Sequence, residues 1–479
     1  MSSPSKNILW LTVSRVVSLL LLFIAYRQLF KYLGPYNYGQ FQFVLSYVTL
    51  FGVVIDFGLQ QYIVKKMSED RSRAKHYFHN FLAVEVLLVA LVYAAMIGVA
   101  LFNGYEPIVF KAILVAGFGT AITGLSYPFL AVVTAFYDLK KAAFINFLAS
   151  AVNVTIIFVT IYVGGSIVML TTQQGIVAIL SFIIYYQFVQ KYIGKPHVLK
   201  GMSELDFSLV KTMFAAALPF AILVGFSTLY NRIDVVLIKH MLGYTETGLY
   251  SAAYKFYDLV AFFPAVVSHA LYPLFASLMV TRDLVQVRSI LEKYLRFMMS
   301  LAIPMGVGGT ILAKPIITLL TNSNEYAGAA PVLSILVWAP AILFVYIIVN
   351  SLVISQLTKW ATAITGVNVL VNIVGNLILL PRIGIIAAAI MTVVSEFLQG
   401  LFYFYFVRKK ITDFKFISYL WKPIIASAVM GLSIWYIQYL HVLILVAIAV
   451  VVYAACLFVL RFFQKDDIAF IKGLLGRGV

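Results

Sequence analysis

The 479-residue chain contains one cysteine, Cys456, and only six histidines. A single thiol excludes a disulfide within the chain and any cysteine-rich metal site. The scattered histidines form no His-Glu metal motif, and no glycine-rich phosphate loop is followed by Lys and then Ser or Thr. The sequence therefore predicts no resident cofactor and no nucleotide hydrolysis.

Charged residues are also scarce, at 11% of the chain against 63% apolar residues, with a mean hydropathy of +0.98. This composition excludes a water-soluble globular protein. A membrane-spanning helix needs roughly 20 mainly apolar residues, and the first apolar run is too long for a signal-peptide core. We therefore predict an all-α integral membrane protein with about fourteen transmembrane helices. The predicted spans lie near residues 8–30, 40–64, 80–103, 107–136, 142–163, 166–190, 212–240, 247–280, 294–320, 328–356, 360–380, 384–407, 421–440 and 442–462.

Acidic residues are few, with 18 Asp and Glu against 35 Lys and Arg. Of the basic residues, 26 fall in the two tails and in the loops that follow even-numbered spans, when the margins of the adjoining spans are included. Loops rich in Lys and Arg stay on the cytoplasmic side of a membrane. Both termini are therefore predicted to be cytoplasmic, and the net charge of +17 is attributed to this topology and to membrane lipid, not to nucleic-acid binding.

Two short stretches, residues 33–39 and 242–248, share one pattern: Leu-Gly, four residues and a closing Gly, between two long apolar runs. An aromatic residue follows each closing glycine at the same offset, Phe41 in one case and Tyr250 in the other. The match predicts one helical hairpin present twice, and duplicated membrane bundles are typical of transporters. We predict two pseudo-symmetric six-helix bundles, residues 1–195 and 208–408, followed by two additional helices and a cytoplasmic tail in residues 409–479.

Basic residues inside apolar spans are candidates for substrate binding, because a charge at the bilayer centre costs at least about 2.5 kcal/mol on insertion scales. Arg27, Arg232 and Lys255 are expected in the outer half of the membrane, where they could bind a phosphate, and Arg15 is a further candidate. The planar guanidinium matches phosphate oxygens at any physiological pH. Structural alternatives stay open: Arg27 could snorkel to the headgroups, and Arg15 could form an ion pair with Asp56.

Acidic residues inside the spans are candidates for binding a coupling ion or for charge pairing. These candidates are Asp56, Asp234, Asp258 and Glu396. Asp234 and Asp258 are close enough in sequence to neutralise Arg232 and Lys255. Glu85 is expected near the cytoplasmic end of its helix, as an interfacial or paired residue rather than a proton carrier. The sequence does not choose between Na⁺ and H⁺ as the coupling ion.

The second hairpin is preceded by Asn231-Arg232-Ile233-Asp234 and followed by Tyr250-Ser251-Ala252-Ala253-Tyr254. With these motifs and fourteen predicted spans, the chain resembles the Wzx-like polysaccharide flippases of the multidrug/oligosaccharidyl-lipid/polysaccharide (MOP) exporter superfamily. The resemblance implies a transporter, not an enzyme. Its implied role is to move polyprenyl-(pyro)phosphate-linked oligosaccharides to the outer leaflet of the plasma membrane for polysaccharide biosynthesis, with a polysaccharide polymerase as a partner.

The mechanism expected from the repeat is alternating access, with two bundles enclosing a cationic cleft while the lipid tail stays in the bilayer. Two alternatives belong to the same superfamily: a cation-coupled multidrug exporter and a lipid II flippase. A membrane-embedded polysaccharide polymerase is a more distant alternative, because such enzymes usually carry a large outer loop and every predicted outer loop here is short.

Overall fold

The computed structural model describes residues 4–136, 139–194 and 205–463, with side chains from residue 21 onward apart from a few positions. This part of the chain is helical and contains no strand. The helices of the N-terminal half are α1 Pro4–Asp56, α2 Leu59–Glu69, α3 Ala74–Phe102, α4 Pro107–Ala135, α5 Leu139–Tyr162, α6 Ile167–Ile193 and α7 Phe207–Leu242. They are followed by α8 Tyr244–Thr281, α9 Leu284–Ile311, α10 Ala313–Thr321, α11 Ala329–Leu336, α12 Trp338–Gln356, α13 Thr358–Ile383, α14 Ile386–Lys410, α15 Trp421–Tyr436 and α16 Val442–Val459.

Each of the fourteen predicted spans overlaps a helix, but the count of fourteen is not confirmed. Within the described residues, ten helical segments are long and apolar enough to cross a membrane, and an eleventh if α9 and α10 form one span bent by 80°. The first two predicted spans are counted in one segment, Leu21–Glu69, although α1 leaves the helical conformation at Gly34 between them, and Phe147–Tyr162 is shorter than a full span. Hydropathy indicates how long an apolar segment is. The number of times that segment crosses the membrane depends also on its bends and on the length of its helices.

The chain divides into two compact units. The N-terminal unit comprises Leu11–Gly248, and the C-terminal unit comprises Leu249–Val479 with Met1–Trp10. The division differs from the predicted limits of 195 and 208, because α7 groups with the helices that precede it. The bundle limits drawn from the repeated sequence stay a prediction.

The core of the N-terminal unit is rich in aromatic residues. Phe129 on α4 packs edge-on against Phe78 on α3 and Phe182 on α6, with ring centroids 5.1 and 5.0 Å apart. Leu59 and Ile63 on α2 are fully buried in the same cluster. These contacts fix α3, α4 and α6 around one another, and the cavity described below lies among elements of this unit.

The core of the C-terminal unit is built from α9, α12 and α14. Tyr294 is fully buried and donates a hydrogen bond to the carbonyl of Phe344 at 2.8 Å. Tyr346 and Tyr403 pack in the same cluster. A second cluster joins α15 and α16 to each other and to the α9–α10 junction at Leu312.

Candidate functional site

The two repeated hairpins open with the same backbone conformation. Gly34 divides α1 into two helical parts, with φ 65° and ψ 173°, and Gly243, between α7 and α8, has φ 97° and ψ −178°. Glycine adopts positive φ at little cost, whereas a side chain at this combination of angles is strained. The Leu-Gly that begins each copy is therefore explained by a sharp change of direction between two helices.

The closing glycines of the two hairpins pack directly against each other. A Cβ at Gly39 would overlap the carbonyl oxygen of Tyr244 and lie 2.9 Å from the amide nitrogen of Gly248. A Cβ at Gly248 would overlap the carbonyl oxygen of Pro35 and lie 3.1 Å from the amide nitrogen of Gly39. Pro35 and Tyr244 hold the same place in the two copies, so the contact is reciprocal. The sequence predicted the duplication but not this contact.

Polar side chains surround the glycine contact. Glu106, between α3 and α4, accepts hydrogen bonds from the Tyr36 hydroxyl and the Gln40 amide, each at 2.7 Å. The Tyr36 ring lies edge-on to the Tyr244 ring, with centroids 5.7 Å apart. The hydrogen bonds attach the first hairpin to the α3–α4 connection, and the ring contact attaches it to the second hairpin.

Lys239, in the last turn of α7, lies among three aromatic rings. Its Nζ is 4.3 Å from the centroid of Tyr105, 5.3 Å from Phe43 and 5.5 Å from Tyr244. Cation–π contacts of this kind stabilise a charged amine that is partly removed from water. Burial raises the pKa of the Tyr105 phenol.

A polar cavity of about 530 Å³ lies within the N-terminal unit. Asp56 is the one charged side chain among the described residues that line it. The other polar lining residues carry a hydroxyl or an amide: Thr49, Thr120, Thr123, Tyr127, Asn153, Gln173, Gln174 and Thr228. A cavity of this volume is within the range of small-molecule sites.

The cavity owes its shape to the close approach of α4 and α6. A Cβ at Gly119 would lie 2.6 Å from the amide nitrogen of Gly175 and 2.7 Å from the carbonyl carbon of Gln174. The two backbones are therefore almost in contact at this point. Gln174 on α6 and Thr120 on α4 flank that contact, which places both in the wall of the cavity.

The lining of the cavity is rich in hydrogen-bond acceptors. The amide oxygens of Asn153, Gln173 and Gln174 are buried, and no group in the described residues donates to them. The hydroxyls of Thr120 and Thr123 donate to backbone carbonyls one turn earlier, at 3.2 and 3.0 Å, and keep their lone pairs free to accept. Buried acceptors without a donor are costly, so the lining suits a ligand or water that brings O–H donors.

Two acidic side chains lie beside this cavity. Asp56 accepts a hydrogen bond from the backbone N–H of Gln60 at 3.3 Å. Glu85 on α3 is fully buried, and neither of its carboxylate oxygens has a hydrogen-bond partner in the described residues. Glu85 therefore has no hydrogen-bonded partner among the described residues, whereas its expected position near the membrane interface stays a prediction. Helix α3 is apolar on all sides, so its sequence does not reveal which face is packed.

The C-terminal unit contains a different acidic site around Glu396. This residue is 2% exposed and accepts hydrogen bonds from the hydroxyls of Tyr257, at 3.3 Å, and Tyr346. On α13, Asn368 donates to the amide oxygen of Gln399 at 2.8 Å. The role of Glu396 in ion coupling stays a prediction, and the two tyrosine donors were not predicted.

The basic residues predicted to bind substrate lie in both units. Arg27 and Arg232 are partly buried in the N-terminal unit, and Lys255 is partly buried in the C-terminal unit. The Arg15 side chain lies outside the described residues, as does its predicted ion pair with Asp56. Phosphate binding by these four residues stays a prediction.

The two remaining acidic candidates differ in burial. Asp234 is 4% exposed and therefore buried, whereas Asp258 is exposed. Charge pairing or ion coupling by these residues also stays a prediction.

Apolar helices of spanning length define a multi-pass membrane protein, and its N-terminal unit encloses a polar cavity. The family model described as polysaccharide biosynthesis protein matches residues 5–279, more than half of the chain, and the MatE model matches residues 219–378. The chain belongs to the polysaccharide biosynthesis protein family. Its predicted resemblance to the Wzx-like members of the MOP superfamily is confirmed, and the protein is a transporter rather than an enzyme.

Relatives and a solved structure agree with this assignment. The uncharacterized membrane protein MJ1068 of Methanocaldococcus jannaschii is 23% identical over 82% of each chain. The probable low-salt glycan biosynthesis flippase Agl15 of Haloferax volcanii is 21% identical over 76% of this chain and 75% of its own. The fold is similar to that of the lipid II flippase MurJ in an inward closed conformation. The TM-score is 0.74 at 17% identity, with 94% of this chain and 98% of MurJ covered.

Proposed function

We propose that the protein is a flippase for polyprenyl-(pyro)phosphate-linked oligosaccharides. In this proposal it moves them from the cytoplasmic to the outer leaflet of the plasma membrane, with both of its termini in the cytoplasm. The product would supply the biosynthesis of a cell-surface polysaccharide, and a polysaccharide polymerase is the expected consumer.

The observation that carries the proposal is the acceptor-rich cavity in a member of the polysaccharide biosynthesis family. A sugar ring presents several O–H donors, and the amide oxygens of Asn153, Gln173 and Gln174 are buried acceptors without a donor in the described residues. An organic cation without O–H or N–H donors would leave these oxygens unpaired, which costs binding energy. The relative named as a glycan biosynthesis flippase, which matches three quarters of the chain, supports the same substrate class.

The phosphate of the carrier lipid would be bound by Arg27, Arg232 and Lys255, with Arg15 as a further candidate. Each is a basic residue within an apolar helix, where an uncompensated charge is expensive. An anionic head group would compensate that charge during passage. Alternating access is the proposed mechanism, and the energy would come from an ion gradient, the membrane potential or removal of the product.

Reconstitution in liposomes tests the proposal. The assay follows the transbilayer movement of a labelled polyprenyl-pyrophosphate oligosaccharide. The wild type is compared with Arg232→Ala, Lys255→Ala and the matched control Lys65→Ala, whose side chain is 74% exposed. A lost charged hydrogen bond costs about 1.5–3 kcal/mol, so movement is expected to slow about 10-fold or more in the first two variants and to be unchanged in the control.

The MatE match over residues 219–378 favours a cation-coupled multidrug exporter as the second candidate. Export of an organic cation driven by sodium or protons, with no movement of any lipid-linked sugar, would contradict the flippase proposal. Movement of lipid II alone would change the substrate within the same class.

A further inference from the structure

The environment of Glu85 is unusual for a carboxylate. Glu85 lies well inside α3 and is fully buried. A Cβ at Gly124 would lie 3.5 Å from Glu85 Oε1, 2.9 Å from Val89 and 2.5 Å from Ile55. Ile55 and Val89 belong to a buried apolar cluster. The carboxyl group therefore faces apolar side chains and the backbone of α4, and no donor in the described residues bonds to it.

The groups that act electrostatically on Glu85 are acidic or neutral. Glu85 and Ile55, the residue before Asp56 at the end of α1, both lie against Gly124 on α4, so the Asp56 carboxylate is close enough to repel a negative charge on Glu85. No basic side chain of the described residues is among the groups that act on Glu85. A charged carboxylate in such a place would have neither a counter-ion nor a hydrogen bond, which is strongly unfavourable.

The ion pairs on the elements packed against α3 are formed by other residues, and Lys111 on α4 and Lys211 on α7 are exposed. On α2, Glu69 pairs with Lys66 at 2.9 Å, and Lys65 lies 4.0 Å from the same carboxylate. Before α7, Asp206 lies 3.7 Å from His76, which is near the start of α3. His79 lies on α3 itself, almost two turns before Glu85. The acidic neighbour that matters for Glu85 is therefore Asp56.

We propose that Glu85 and Asp56 form a proton-binding pair in the N-terminal unit, in which Glu85 carries the proton in this conformation. Two like charges at short range cannot both ionise easily, so the pair retains one proton. Asp56 lines the polar cavity, whereas Glu85 does not. When the O–H bond of Glu85 breaks, the proton passes to the Asp56 carboxylate or to water in the cavity, and the negative charge remains on Glu85.

The pair would give the transporter a site for coupling to protons. This use of the site rests on the proposed function, whereas the protonation of Glu85 does not. A bound sugar in the cavity would lie next to Asp56 and would change its access to water. Proton release and substrate binding would then influence each other, as coupling between two sites requires.

Labelling with dicyclohexylcarbodiimide tests the proposal, because this apolar reagent modifies protonated carboxyl groups in apolar surroundings. The purified wild type is treated over a range of pH, and the modified residue is located by peptide mass spectrometry. Glu85 is expected to be labelled at neutral pH and progressively less as the pH rises. Glu106, which is exposed and accepts two hydrogen bonds, is the internal control and is expected to stay unlabelled.

Three variants test whether Glu85 acts in a pair or as a lone buried acid. Asp56→Asn removes the like charge, so the pH at which labelling of Glu85 is lost should fall by about one unit. Glu69→Gln, which alters an exposed acid of the same unit, should leave that pH unchanged. Glu85→Gln should abolish the labelled peptide, and folding of each variant is checked by size-exclusion chromatography.

Three results would overturn the proposal. One is absence of label on Glu85 at every pH in the folded wild type, and another is labelling that Asp56→Asn does not alter. The third is protection by sodium chloride but not by choline chloride at constant pH, which would assign the pair to a sodium ion. Labelling needs no lipid-linked sugar, so failure here and failure of the flippase assay are independent results.

Discussion

Single buried polar groups carry large local consequences in this protein, and Glu396 is the clearest case. Its carboxylate accepts hydrogen bonds from Tyr257 and Tyr346 in an interior that is almost closed to solvent. Tyr346→Phe removes one donor and keeps the ring. We expect the free energy of unfolding to fall by about 1–3 kcal/mol, because a buried carboxyl oxygen of Glu396 loses a hydrogen-bond donor. The apparent unfolding midpoint in detergent measures this change.

The control for that variant is Tyr405→Phe. The Tyr405 side chain is 52% exposed, and its hydroxyl accepts a hydrogen bond from Lys409 at 3.1 Å, where water can replace the lost contact. The midpoint is expected to stay within experimental error of the wild type. Equal shifts in the two variants would show that the hydroxyl of Tyr346 does not stabilise the fold through Glu396.

The cavity side chains should affect sugar binding one hydrogen bond at a time. Gln173→Ala removes a buried acceptor, and a typical hydrogen bond contributes about 0.5–1.5 kcal/mol. We expect the affinity for the lipid-linked oligosaccharide to fall about 2- to 10-fold. Titration in detergent micelles checks this, with the exposed Gln286→Ala as the control. Unchanged affinity in Gln173→Ala would remove that residue from the sugar site.

Only some of these functional candidates can be predicted from the sequence. Arg27, Arg232 and Lys255 are conspicuous because they interrupt apolar runs. Glu85 interrupts one too, but its environment depends on which side of α3 meets α4, and a helix that is apolar all round does not reveal this. Gln173 and Asn153 become a site only because Gly119 brings α4 against α6.

At the scale of elements, the contact between the repeated hairpins predicts how substitutions of its glycines change the stability of the protein. Gly39→Ala and Gly248→Ala each place a methyl group where a carbonyl oxygen of the other hairpin lies. Backbone atoms cannot rotate away as side chains do, so each variant should lose about 1–3 kcal/mol of unfolding free energy. The double variant should cost less than the sum, because the first methyl group already separates the hairpins. The unfolding midpoints of the three variants test both statements.

Gly98→Ala is the matched control for these variants. Gly98 lies inside α3, and a Cβ there would meet nothing within 4 Å. Alanine is favoured over glycine within a helix by about 1 kcal/mol. The control should therefore be as stable as the wild type or more so. A loss at Gly98 as large as that at Gly39 would mean that the methyl group, and not the contact between hairpins, is responsible.

Helix content could be predicted from hydropathy, but the breaks within it could not. Predicted spans 40–64 and 294–320 each contain a break, the first at Phe57 and Gly58 and the second at Leu312, where the chain bends by 80°. The first break lies beside Gly58, and the second is followed by Pro315 in the first turn of α10, whose nitrogen cannot donate a hydrogen bond to the carbonyl of Ile311. Proline also lies inside a continuous helix, as Pro128 does in α4, so such a residue alone does not predict where a helix breaks.

At the scale of the whole molecule, the uneven distribution of Lys and Arg predicts orientation. In a Cys456→Ser background, Asn103→Cys should react with an impermeant maleimide in intact cells, because it follows the odd-numbered span 80–103. Ser72→Cys, in the Lys- and Arg-rich connection between α2 and α3, should react only after permeabilisation. Both positions are exposed to solvent. The reverse pattern would invert the predicted topology.

The contact between Gly39 and Gly248 also limits how far the two copies of the repeat can diverge in sequence. After a duplication, most positions of the two copies are free to drift apart, because each copy meets different neighbours. Here each copy is the neighbour of the other, so a substitution in one copy also alters the packing of the other. The stretch in which the repeat can be recognised in the sequence is thus also the stretch in which its two copies are in contact.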